Sequence, residues 1–144
     1  MSAEVVLATA SVSLPYKKVE RILVTGLYGY DEIIGHIRTG ANSGYQAIHL
    51  AIQSEAAKVL VLGVDMTLRH GIHWHGPHTS GLSNPSERFF QRCLPMFAAL
   101  GEVATLKGVD VVNCSPTSLV TAFRRSTLEK ELDSSALVEG RSGV

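Results

Sequence analysis

The run Lys58-Val-Leu-Val-Leu-Gly-Val-Asp65 constrains this chain more than any other segment. A continuous apolar stretch that ends abruptly in a charge is what a central parallel strand needs, because other elements cover both of its faces. Parallel strands must be joined by long crossovers, usually helical. The flanks therefore have to carry helices.

They do. Upstream, Thr39-Gly-Ala-Asn-Ser-Gly44 leads into Tyr45 to Gln53, where Ala47, Ile48, Leu50, Ala51 and Ile52 are apolar. This predicts a turn capped by Asn42 or Ser43 that opens a helix buried on most sides. Downstream, Asn84-Pro-Ser-Glu87 reads as a helix start, with Asn84 as cap, Pro85 at the first helical position and Glu87 returning a capping bond. Phe89, Phe90, Cys93, Leu94, Phe97 and Leu100 then follow helical spacing, and Pro95 within them predicts a kink or break. Val109 to Asn113 reads as a further strand, followed by Ser115 to Ser118 and a turn of helix toward Phe123. Glu4 to Ala8 and Arg21 to Thr25 read as earlier strands, and Thr127 to Leu132 as a short helix.

Alternation of strands and helices with right-handed crossovers implies an α/β fold, a three-layer sandwich around a mainly parallel, Rossmann-like sheet. With 144 residues, 45% of them hydrophobic, the chain suits one core. Residues 1–133 are expected to form one domain and 134–144 a flexible tail.

Thirteen basic residues balance thirteen acidic ones, so no whole-molecule field draws in nucleic acid or an anionic membrane. No run reaches the roughly 20 apolar residues of a membrane span, and no signal-peptide layout opens the chain. Cys93 and Cys114 lack a C-x-x-C spacing and lie in apolar stretches. They are expected to be buried free thiols in a reducing compartment, which points to the cytoplasm.

Sheets of this kind bind ligands beyond the carboxyl ends of their strands. That edge would hold Asp65, Asn113 and Ser115. If the segment before Thr39 also runs with the sheet, the Thr39–Gly44 turn joins the same crevice. Its free N–H groups and positive helix end suit a phosphate or carboxylate, although a glycine-rich cap needs no ligand. The densest chemistry is His70-Gly-Ile-His-Trp-His-Gly-Pro-His78, four of the six histidines. Three readings stay open for it: a metal site on His73 and His75 completed by His78, His70 or Asp65, a proton-transfer site in which one imidazole acts as general base, and an inert packed loop.

The ordered succession of Arg38 to Ala51, Val59 to Met66, His73 to His78, and Val112 to Leu119 with Phe123 resembles the C-terminal half of two related groups. These are the bacterial sialyltransferases of the Campylobacter lipooligosaccharide type and a set of largely bacteriophage-encoded proteins akin to the motility-associated glycosyltransferase-like domain. The resemblance implies a nucleotide-sugar fold in which Thr39, Gly40, Asn42, Ser43 and Gly44 lie near the donor's phosphate or ribose. It also implies that Asn113, Ser115 and Ser118 help line the nucleotide site, and that one of His73, His75 and His78 deprotonates the acceptor hydroxyl. No metal cofactor is required on that reading. The family's first βαβ portion, with its Gly-Pro-Ser-Leu-type turn, has no counterpart before residue 38. The functional expectation is a glycosyltransferase-like protein binding a nucleotide or nucleotide sugar. Non-catalytic nucleotide capture and a metal-dependent hydrolase are the alternatives. Apolar surface left by the missing portion favours a homodimer.

Overall fold

The computed structural model describes residues 22–72, 76–78 and 83–139. It is a mixed α/β structure whose strands are short and all parallel. The order is β1 (Leu23–Gly26), β2 (His36–Arg38), α1 (Ser43–Gln53), β3 (Lys58–Val61), α2 (Glu87–Cys93), α3 (Met96–Lys107), β4 (Asp110–Asn113), β5 (Arg124–Arg125) and α4 (Leu128–Glu139). β1 pairs with β2 in one small sheet, and β3, β4 and β5 form a second in that order. The strand expected at Glu4 to Ala8 lies outside the described residues.

α1 forms where the sequence places it. Asn42 adopts extended backbone, and its Oδ1 accepts the Tyr45 N–H at 2.8 Å, satisfying one of the amides that have no acceptor in the first turn. Tyr45, Ile48 and Ile52 then recur on one face and are buried. Gly40, one turn earlier, sits at φ +54°, and a Cβ there would lie 2.1 Å from the Tyr45 ring, so only glycine fits.

β3 differs from the strand expected of that run. Among the described residues β3 has a single neighbour, Lys58 is exposed, and the strand stops at Val61 because Gly63 turns the chain at φ +71°. β4 lies between two strands instead, with Val111, Val112 and Asn113 all buried. The hydrophobic run therefore marked a strand correctly, but of β3 only Val61 is buried, Val59 and Leu60 are half-buried, and Leu62 beyond it is 54% exposed.

The second helical segment breaks at Pro95, as its missing N–H demands, into α2 and α3. Its start differs from expectation. Ser86, not Asn84, caps α2 by accepting the Phe89 N–H at 3.2 Å, while Asn84 and Glu87 are drawn to other backbone groups. α3 ends on Gly108 in the left-handed region, whose amide and that of Val109 return to the last turn. Gly101 lets α3 close on the chain after β4, since a Cβ would meet the Ala122 carbonyl oxygen at 2.5 Å. That stretch is not the turn of helix expected before Phe123, and Arg124–Arg125 instead add β5 beside β4. α4 continues to Glu139, well past Leu132 and into the expected tail.

The core joins α1, α3 and β4. Tyr45 meets Phe97 edge-on at 5.4 Å, Phe97 meets Phe123 at 6.4 Å, and Ile48, Ile52, Leu100 and Val111 fill the space between. Cys93 and Cys114 are buried free thiols. Among the described residues no helix is long and apolar enough to cross a membrane.

Candidate functional site

Because the strands of each sheet run in parallel, their carboxyl ends share an edge, and four loops leave it: 27–30 after β1, 39–42 after β2, 62–65 after β3 and 114–119 after β4. These loops are bonded to one another. The Gly40 N–H donates to the Leu27 carbonyl at 2.9 Å, and the Tyr45 hydroxyl donates to the Gly29 carbonyl at 2.6 Å. A Cβ on Gly44 would lie 3.0 Å from the Val64 side chain, so the first turn of α1 abuts the loop after β3 and joins the two sheets along one rim.

The loop after β3 is clamped from the other side. The Gly63 N–H donates to Ser115 Oγ at 2.7 Å, the Ser118 hydroxyl donates to the Val64 carbonyl at 2.7 Å, and the Leu119 N–H donates to the Asp65 carbonyl at 2.8 Å. Met66 follows at φ +55°, a conformation that a side chain of its size adopts at a cost. Arg125 at the end of β5 ties down the same loop by donating to the Pro116 and Ser118 carbonyls.

The expected site residues divide into two groups on this frame. Thr39, Ser43, Gly44 and Asp65 lie on the rim, with Ser43 exposed and Thr39 and Asp65 half-buried. The amides of Ser43 and Gly44 have no acceptor within α1 and stand at the positive end of its dipole. Asn42 is occupied in shaping the turn, accepting from Tyr45 and donating to the Gly40 carbonyl at 2.8 Å. Asn113, Ser115 and Ser118 are buried and bonded to backbone. The Asn113 amide donates to the Val120 carbonyl at 3.0 Å, its oxygen accepts the Ser115 N–H at 3.1 Å, and Ser118 Oγ also accepts the Val120 N–H. These three hold the rim in shape from beneath.

Of the histidines, His73 and His75 lie outside the described residues. Ahead of them, Leu68 is pinned to α2, where Glu87 accepts its N–H at 2.9 Å. His78 exchanges two bonds with Asn84: its N–H donates to Asn84 Oδ1 at 2.8 Å and its carbonyl accepts from Nδ2 at 3.3 Å. His70 is exposed. Among the described residues no group of three His, Cys, Asp or Glu side chains is placed to hold a metal ion.

The structure adds a polar knot beside the rim that sequence reasoning missed. Thr25 Oγ1 donates to Asp31 at 2.5 Å, Arg38 donates to the Thr25 carbonyl at 2.8 Å, and the Asp31 N–H donates to His49 Nε2 at 2.9 Å. The Gln53 amide faces the carbonyls of Asp31, Ile33 and His36 within 2.9 Å, more acceptors than its two hydrogens can serve at once. Burial pushes His49 down to about 4 and Tyr45 up to about 12. The Thr25 hydroxyl, the Ile33 N–H and the Arg38 guanidinium hold the Asp31 carboxyl below its usual range. Tyr30 stacks on the His49 ring at 4.4 Å, and Lys107 pairs with Glu32 at 2.7 Å, so the whole 27–35 loop is bolted to α1 and α3. The available signal was His49 and Gln53 one helical turn apart, on the face shared by Tyr45, Ile48 and Ile52.

Comparison with known protein families, curated proteins and solved structures finds no match to this chain.

Proposed function

We propose that this chain is a glycosyltransferase-like protein that receives a nucleotide or nucleotide sugar on the rim, within a Rossmann-like, three-layer arrangement of its sheets and helices. The observation that carries the proposal is the meeting of the loops after β1, β2 and β3 where α1 begins, with the loop after β4 holding the third of them in place. Such a crevice suits an anionic ligand, because the Ser43 and Gly44 amides and the helix dipole present partial positive charge without adding a mobile side chain. Thr39 and Asp65 flank that position and supply a hydroxyl and a carboxylate for the ribose or sugar hydroxyls. Sugar transfer would draw its general base from His73, His75 or His78.

The test exploits the opposite demands of helix and ligand at one residue. A carboxylate at the first helical position favours the helix dipole but repels a phosphate. Ser43→Glu is therefore expected to keep or raise the melting temperature while weakening the binding of cytidine or uridine nucleotides, measured by calorimetry, at least tenfold. Unchanged affinity, or no nucleotide binding by the native protein, would refute the placement. Release of free nucleotide from a nucleotide sugar, abolished by alanine at one of the three histidines, would separate transfer from simple capture.

A further inference from the structure

Among its described side chains, α4 is attached by charge rather than by the apolar core. Of these, Leu128 is half-buried, Leu132 is 54% exposed, and none joins the apolar core. The buried group is a carboxylate, Glu131, at 6% exposure. It accepts from Arg124 Nη1 at 2.7 Å and Nη2 at 2.8 Å, and from Lys58 Nζ at 2.9 Å. Arg124 in turn holds both oxygens of Asp110, at 2.8 and 2.6 Å.

The register of the sheet explains how these charges meet. Lys58 pairs with Asp110 across β3 and β4, and Val112 pairs with Arg124 across β4 and β5. Lys58 and Asp110 thus open their strands at the amino edge, opposite the rim, and Arg124 reaches back toward them. Two cations and one carboxylate of the sheet leave a place for one more carboxylate, which α4 supplies. Bidentate guanidinium–carboxylate bonds of this kind depend strongly on the charge of both partners, which apolar packing does not.

We infer that α4 is a detachable C-terminal arm, docked on the amino edge of β3, β4 and β5 through Glu131 and able to open while the core stays folded. Its release changes the surface at that edge without touching the ligand rim, because the two lie at opposite ends of the strands. Local opening of this type is read directly by amide exchange.

The experiment is hydrogen–deuterium exchange of the full chain, native and Glu131→Gln, followed in peptides covering α4, β3 and β4. The expected result is exchange in α4 faster by roughly tenfold or more, the scale set by loss of charge-assisted bonds, with β3 and β4 unchanged. Unchanged α4 exchange overturns the inference, and so does equal acceleration of α4 and the strands, which would make α4 part of one cooperative unit. Leu132→Ala is the companion variant. It is expected to leave α4 exchange unaltered, and an acceleration matching that of Glu131→Gln would show that apolar packing holds the helix.

Discussion

His49 should make the stability of this protein fall as the pH drops below neutrality. Its ring is fully buried, and Nε2 accepts the Asp31 N–H at 2.9 Å, so a proton on Nε2 would set two donors against each other. Burial lowers its pKa from the ordinary 6.5 to about 4, the nearby Asp31 carboxylate offsetting only part of that effect. Since the folded value lies below the unfolded one, the unfolded chain takes up the proton first. Stability is then complete above about pH 6.5 and is lost as the pH falls toward 4. The full difference corresponds to about 3 kcal/mol at 1.36 kcal/mol per pKa unit, of which about 2 kcal/mol is lost between roughly pH 7.5 and pH 5. Asp31, Asp110 and Glu131 are held below their ordinary values of 3.8, 3.8 and 4.5, so their own losses begin at lower pH. Urea denaturation at those two pH values, on the native chain and on His49→Gln, isolates the effect, because every other titrating group is common to both. The native chain should lose about 2 kcal/mol more than the variant. An equal loss in both would refute the assignment, whatever the variant's absolute stability.

Three further outcomes follow from the contacts above. Asn42→Ala removes the cap of α1 and its bond to the Gly40 carbonyl, and should cost about 1 kcal/mol in chemical denaturation. Gly101→Ala forces a Cβ against the Ala122 carbonyl oxygen at the joint between α3 and the chain after β4, and a loss of about 1 to 3 kcal/mol is expected in the same assay. Ser118→Ala leaves the Val64 carbonyl and the Val120 N–H without their partner and should destabilise by about 1 to 3 kcal/mol. Nucleotide affinity measured well below the melting temperature should change far less for Ser118→Ala than for Ser43→Glu, because Ser118 shapes the rim from beneath.

Much of the fold was legible locally. The cap at Asn42 or Ser43 and the apolar residues from Ala47 to Ile52 placed α1, although it buries one face through Tyr45, Ile48 and Ile52 and leaves Ala47 exposed rather than being buried on most sides, and Pro95 placed the break between α2 and α3. What was read less well involved groups with two competing partners. Asn84 is a good helix cap by composition, but it pairs with His78, and Glu87 serves Leu68 rather than its own helix. β5 escaped notice because Arg124 and Arg125 have neither alternation nor apolar character. They extend beside β4 because their guanidinium groups reach Asp110, Glu131 and the Pro116 and Ser118 carbonyls.

The sequence by itself determined the parallel α/β character, the start of α1 and the position of Asp65 just beyond a strand, whereas the place of the Thr39–Gly44 turn on the same edge depended on the direction of β2, which the structure decided. Each of the first three depends on residues within a turn or two of one another. Only the tertiary structure decided that, among the described residues, β4 lies between two strands, that Asn113, Ser115 and Ser118 face the protein's own backbone, and that His49 and Gln53 lock the 27–35 loop. Burial and bonding partners at those positions come from segments between 2 and 54 residues away along the chain, and a one-dimensional pattern does not encode which of several polar groups a buried atom will meet.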